Sequence, residues 1–224
     1  MRNGPTSPRA AFVGRAPLLL LVAFVAVWVT LGVAPHYRQD WLLENLLVLV
    51  AVPVLLWSHR RHPLGSASYA CLFVFGVLHE VGAHYTYSEV PYERWSQALF
   101  GVSLQDTFDL SRNHYDRAMH FLYGLLITPA AMELLELRTS PRGWWRWLLP
   151  VAFVTSHSVV YELVEWGAAI LFGGDLGTAY LGTQGDVWDA QQDMALALLG
   201  STIAATLVLW RRPRRGRPSP LSAT

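Results

Sequence analysis

Six apolar runs, each close to the length that crosses a hydrocarbon core, alternate with polar joins along the chain. They cover approximately residues 17–34, 41–58, 66–85, 115–137, 147–172 and 190–210. About 20 residues rising ~1.5 Å each span a core ~30 Å thick, so each run predicts one transmembrane helix. Pro53 and Pro129 interrupt the second and fourth runs and predict kinks, which membrane helices tolerate because neighbours satisfy the freed carbonyl. Residues 86–114 form the one long join. It carries Trp95, Phe100 and Phe108, and residues 94–100 within it predict a short interfacial helix. The first run follows Arg2, Arg9 and Arg15, as in a signal peptide, but it exceeds the ~7–15 residues of a signal core. With no small-x-small cleavage pattern after it, it reads as an uncleaved span.

The arginines orient the bundle. All seventeen basic residues are arginine, and with six spans thirteen fall on one side. These are Arg2, Arg9 and Arg15, then Arg60 and Arg61, then Arg138, Arg142 and Arg146, and finally five between 211 and 217. Only Arg38, Arg94, Arg112 and Arg117 fall opposite. Positive residues mark the cytoplasmic side, so both termini are expected there. The expected organisation is a cytoplasmic tail over 1–16, a six-helix domain over 17–210 and a disordered basic cytoplasmic tail over 211–224. The fold class is all-α, a polytopic integral membrane protein.

Composition agrees. The chain is 53% hydrophobic and 15% charged, with ten tryptophans, several of them at predicted interfaces where amphipathic rings are favoured. A net charge of +1 gives no nucleic-acid footprint, and the single Cys71 excludes an internal disulfide.

Fourteen of the sixteen carboxylates lie toward the outer side, many inside the ends of spans. Glu89, Glu93, Asp106, Asp109 and Asp175 read as solvated loop charges, and Asp40 and Glu44 as charges at headgroup level. The remainder pair at helical spacing, three or four residues apart and therefore on one face. In the third span Glu80 and His84 are so spaced, with His79 adjacent. Asp116 and His120 open the fourth, beside Arg112, His114 and Arg117. Glu162 and Glu165 sit in the fifth, with Tyr161 beside them, and Asp186, Asp189 and Asp193 lead into the sixth. By depth, Glu80, His120, Glu162 and Asp193 all fall in the outer half, which predicts convergence on one outward-facing cavity. Polar groups in membrane helices are costly and mark working sites. They also serve as interhelical hydrogen bonds, which is the competing account.

Histidine with carboxylate suits a divalent or transition metal, and bundles build such sites from inward Glu and His. The expected metal ligands are His79, His84, His114, His120, Asp189 and Asp193. Glu80, Asp116, Glu162, Glu165 and Asp186 are the expected catalytic acids and bases. No H-E-x-x-H motif is present, since His84 falls one residue too far from His79-Glu80, and there is no G-x-S-x-G elbow.

Four stretches, 79–87 (HEVGAHYTY), 112–121 (RNHYDRAMHF), 161–166 (YELVEW) and 181–194 (LGTQGDVWDAQQDM), resemble the YjdF-like predicted inner-membrane proteins of bacteria. The resemblance covers roughly 41–210. It implies a small multi-pass protein of the bacterial cytoplasmic membrane and, because that family is a domain of unknown function, no reaction. The functional expectation is a metal-assisted enzyme acting on a membrane lipid or envelope substrate, with a divalent ion as cofactor. The alternatives are an ion- or proton-coupled transporter, for which Glu133 is the main inner-half polar group, and a non-catalytic structural or accessory protein. The sequence names no protein partner.

Overall fold

The computed structural model describes residues 15–174, 177 and 181–211, and among these the regular structure is entirely helical. The expected tails over 1–14 and 212–224, and Asp175, lie outside the described residues. The helices are α1 (Ala16–Gly32), α2 (Arg38–Arg61), α3 (Ser66–Tyr85), α4 (Tyr92–Phe100), α5 (Leu104–Phe108), α6 (Tyr115–Thr139), α7 (Trp145–Phe172) and α8 (Asp189–Arg211), with a 3-10 turn at Tyr87–Glu89. Five of these, α2, α3, α6, α7 and α8, are long and apolar enough to cross a membrane, and α1 is a shorter apolar helix of 17 residues. At ~1.5 Å per residue α1 reaches ~26 Å, close to the hydrocarbon thickness. The protein is a six-span bundle. Arg60, Arg61, Arg138, Arg146 and Arg211 close its cytoplasmic end.

Helix ends differ from the hydropathy runs for local reasons. Helix α1 stops at Gly32 because Arg38 takes over its last carbonyls, donating from Nη1 to Gly32 O (2.7 Å) and from Nη2 to Val33 O (2.9 Å). The same contact starts α2 at Arg38, three residues before the apolar run. Helices α2 and α6 run unbroken through Pro53 and Pro129, and α7 through Pro150.

Small residues set the packing. Gly124 on α6 and Gly200 on α8 cross so closely that a Cβ on either would fall 2.1 Å from Ala197 O or 2.2 Å from Phe121 O. Without a hydrophobic force between helices in lipid, such backbone approach is what holds a pair together. Thr128, Ala131, Ala197, Ser201 and Ala204 are buried on the same two helices. Toward the cytoplasmic end, Met132, Val151 and Ala205 make a core among α6, α7 and α8. Helix α7 turns Val160, Leu163, Val164, Trp166, Ile170 and Leu171 outward, each more than half exposed, as a lipid-facing stripe requires.

Glu133, deep on α6, holds the start of α3. Its carboxylate accepts from Gly65 N (2.6 Å) and Ser68 Oγ (2.7 Å), satisfying donors that the helix N-terminus leaves open. Glu133→Ala is expected to destabilise the bundle by ~1–2 kcal/mol, the range for losing a cap or a charge-assisted bond. An SDS-unfolding series against the parent measures it, and an unchanged midpoint would remove Glu133 from this role.

The outer join folds as an interfacial cap. The expected 94–100 helix is α4, and it exposes Trp95, Leu99 and Phe100 while Ser96 faces inward and donates to Val102 O. Glu93 accepts the N–H groups of Leu104 and Gln105. The Ser103 hydroxyl and these amides hold Glu93 below the usual carboxylate range.

Candidate functional site

The α6–α8 crossing builds the site one turn further out. His120 lies four residues before Gly124, and Asp193 lies seven before Gly200, so the helix faces that touch at the glycines carry these two side chains toward each other. Asp116, His120 and Asp193 each offer a ligand atom, and these atoms all lie within 4.8 Å of one another. Helix α7 supplies the third wall. Glu162 Oε1 stands 3.2 Å from His120 Nε2, and Asp116 Oδ1 is 3.7 Å from the same nitrogen. The other ring nitrogen, Nδ1, meets the buried Ser158 hydroxyl at 3.4 Å. That contact leaves Nε2 as the atom facing the carboxylates.

Two arginines stand at the rim, and they are committed elsewhere. Arg112 donates from Nη1 to Asp189 Oδ1 (2.6 Å) and Thr183 O (2.8 Å), and from Nη2 to Gly182 O (3.1 Å). Arg117 Nη2 pairs with Asp186 at 2.5 Å and approaches Asp189 at 3.5 Å. Asn113 and Gln184 exchange two more bonds across the same gap, Asn113 N to Gln184 Oε1 and Gln184 Nε2 to Asn113 O, both 2.9 Å. Together they tie the 182–186 turn to the start of α6. The backbone N–H of Trp188, and then Arg117, hold the half-buried Asp186 carboxyl below its ordinary value. Burial, with Arg117 and Arg112 beside it, pushes His114 down, so that ring is neutral at pH 7.

What is left is an excess of acids. With Arg112 and Arg117 paired to Asp186 and Asp189, the carboxylates of Asp116, Asp193 and Glu162 share the His120 imidazole, and Glu165 lines the same hollow. Asp193 Oδ1 and Glu162 Oε1 accept no hydrogen bond among the described residues. Bare anions in such a place carry a large desolvation cost, so protons or a bound cation must balance them. Asp–His–Asp is a donor set that suits Zn, Mn or Fe. A hollow of about 510 Å³ opens beside these groups, bounded by Glu162, Glu165 and Asp193 on one hand and by Val159, Leu163 and Trp166 on the other. The apolar wall belongs to the lipid-facing stripe of α7.

The polar network continues into α2 and α3. Tyr161 donates to Glu44 Oε2 at 3.0 Å, linking α7 to α2. Asp40 and Glu44, read from sequence as headgroup charges, are instead buried, 1% and 4% exposed. Asp40 accepts the Thr86 hydroxyl, and this bond holds Thr86 at φ +64°, unusual for a β-branched residue. Their burial follows from α2 beginning at Arg38, which turns its first acids inward. Trp28 Nε1 donates to Asn45 Oδ1, bringing α1 against the same region.

The expected site residues divide accordingly. Asp116, His120, Asp193, Glu162, Glu165 and Asp189 come together, and Asp186 stands at the rim as an arginine partner. Glu80 is fully buried on α3, beside Asn45 but without hydrogen-bonding geometry to either of its oxygens among the described residues. His79 has both ring nitrogens engaged, Nδ1 by the Tyr87 hydroxyl (2.5 Å) and Nε2 by Glu44 O (3.3 Å), which leaves no lone pair free. His84 donates from Nδ1 to Leu31 O (2.8 Å), and His114 Nδ1 faces Arg117 Nη1 at 3.5 Å. None of His79, His84 and His114 joins the three-ligand group.

Residues 16–214 match the family model described as Predicted membrane protein (DUF2238). The chain belongs to that family. It is also 36% identical over 189 residues to the inner membrane protein YjdF of Escherichia coli (strain K12), covering 83% of this chain and 86% of that protein. No solved structure matches it. As a family member with six apolar helices it is a multi-pass protein of the bacterial cytoplasmic membrane. Three of the four stretches that carry the family resemblance, 112–121, 161–166 and 181–194, contain Asp116, His120, Glu162, Glu165 and Asp193.

Proposed function

We propose that the outer cavity holds a divalent metal ion and that the protein is a metal-assisted hydrolase acting on a membrane lipid or envelope substrate. One observation carries the reading. Asp116, His120 and Asp193 present ligand atoms within 4.8 Å of one another beside the outer cavity, where among the described residues Arg112 and Arg117 pair with Asp186 and Asp189 and not with these carboxylates. In this reading Asp116, His120 and Asp193 hold the ion, and Ser158 orients the imidazole, as partners of metal-bound histidines do. Glu162, beside the ligands, serves as proton acceptor. Tyr161 joins Glu44 to the same site. A divalent ion would supply an activated water and polarise an ester or phosphoryl oxygen. The apolar wall at Val159, Leu163 and Trp166 favours a substrate with a hydrocarbon portion.

The test is stoichiometric. Detergent-purified protein titrated with Mn and Zn is expected to bind about one ion per chain. His120→Ala and Asp193→Asn are expected to weaken that binding by about 100-fold, and Ser158→Ala by about tenfold. Equal binding by the parent and by His120→Ala, with both correctly folded, removes the metal. Parent that binds metal but releases no product from extracted envelope lipids removes the hydrolase.

Transport fits less well. A carrier needs polar groups in both halves, and the inner acids are already used. Glu133 caps α3, and Glu136 pairs with Arg146 at 3.0 Å.

A further inference from the structure

A second hollow, of about 650 Å³, lies at the outer interface away from the acidic cavity. Three segments meet there: the α1–α2 link, the end of α3 and helix α4. Its walls are aromatic. His36 meets Tyr85 edge-on at 4.9 Å between ring centroids, and Tyr85 meets Trp95 edge-on at 5.7 Å, so three rings turn two successive corners. Glu89 and Arg94 line the same hollow. Both are exposed, and neither forms an ion pair among the described residues. Glu89 is steadied by the Tyr37 hydroxyl at 3.3 Å. Opposite charges that border one cavity ordinarily close on each other. Here a carboxylate and a guanidinium line one hollow together with the Tyr85–Trp95 corner and do not pair with each other among the described residues.

We infer that this hollow binds the headgroup of a zwitterionic phospholipid, its phosphate on Arg94 and its ammonium between Glu89 and the Tyr85–Trp95 corner. The chemistry matches at each point. Guanidinium recognises phosphate by a planar fork of donors. Aromatic faces and a carboxylate attract an ammonium. A pocket of this volume lies within the range that small ligands occupy. The setting matches too, because α4 exposes Trp95, Leu99 and Phe100, side chains that belong at the acyl boundary. An anionic headgroup would use Arg94 and be repelled by Glu89, so the site selects for the zwitterion. The inference does not depend on the metal site.

Native mass spectrometry of the full chain in detergent, titrated with phosphatidylethanolamine or phosphatidylglycerol, decides it. The parent is expected to bind phosphatidylethanolamine about tenfold more tightly than phosphatidylglycerol. Glu89→Gln should erase that preference, and Arg94→Gln should weaken both lipids. Soluble glycerophosphoethanolamine at matched concentration should not displace the lipid. Phosphatidylglycerol binding as well as or better than phosphatidylethanolamine overturns the proposal, as does a preference that survives Glu89→Gln. Displacement by the soluble headgroup overturns the assignment to membrane lipid. Both positions are exposed, so the variants are expected to fold, and metal stoichiometry measured on the same samples should be unchanged, which separates this test from that of the outer cavity.

Discussion

Gly124→Val is expected to destabilise the bundle by about 3 kcal/mol or more, the upper part of the range for overpacking. The Cβ of any residue at 124 falls 2.1 Å from Ala197 O and 2.7 Å from Ser201 N, and both are backbone atoms that cannot rotate away. Helices α6 and α8 would have to separate, and the contacts of Thr128, Ala131 and Ala204 would loosen with them. Gly200→Val should act alike, because its Cβ meets Phe121 O at 2.2 Å and Leu125 N at 2.8 Å. Gly167 on α7 is the control. It is a helical glycine with nothing within 4 Å, so Gly167→Ala should stabilise by roughly 0.5–1 kcal/mol through helix propensity. Steric-trap or SDS unfolding of the three variants measures the contrast. A tolerated Gly124→Val would mean that the two backbones do not touch. Because Asp116, His120 and Asp193 ride on these two helices, the proposed metal binding should fall together with stability.

Arg112→Met is the second large effect, at about 3 kcal/mol. The guanidinium is 9% exposed and serves Asp189, 4% exposed, together with two carbonyls of the 182–184 turn. Its removal leaves a buried carboxylate with only the longer 3.5 Å contact to Arg117, and two carbonyls without a donor. Lysine should not rescue it, since one ammonium cannot span three acceptors in the fork arrangement that guanidinium provides. Arg112→Met combined with Asp189→Leu should recover much of the loss, because the expensive element is the stranded charge and not the missing attraction. The same unfolding assay reads all three, and equal midpoints for Arg112→Met and the double variant would contradict that account.

The spans were legible because lipid imposes a length and arginines impose a side. The structure keeps six helices with ends within a few residues of the apolar runs. Depth is legible as well: counting from the ends puts Glu80, His120, Glu162 and Asp193 in the outer half, and of these His120, Glu162 and Asp193 come together while Glu80 stays apart on α3. Partnership across helices was not legible. Asp40 and Glu44 stand at a helix start, where an acid facing water and an acid facing the bundle look alike in sequence. Only the early beginning of α2 and the Tyr161 hydroxyl, 117 positions away from Glu44, reveal which they are. A nearby carboxylate in the same span marks His79, beside Glu80, and His120, four after Asp116, alike in the sequence. What separates them is that Tyr87 and the Glu44 carbonyl occupy both nitrogens of one ring, whereas Nε2 of the other faces carboxylates. Gly124 and Gly200 stand out as small residues, but nothing local in the chain says that they meet.

The contact of these two glycines also governs how the cavity could change shape. Helices joined backbone to backbone cannot slide or rotate past each other by small steps, because any shift drives a peptide group into its neighbour. Asp116, His120 and Asp193 therefore belong to a fixed jaw. Helix α7 meets that jaw through side chains, Val151 in the cytoplasmic core and Ser158 and Glu162 at His120, and it carries Glu165 and the apolar wall. If the proposed cavity admits a guest, the adjustment falls to α7, which is not locked backbone to backbone at these glycines, while Asp116, His120 and Asp193 keep their spacing.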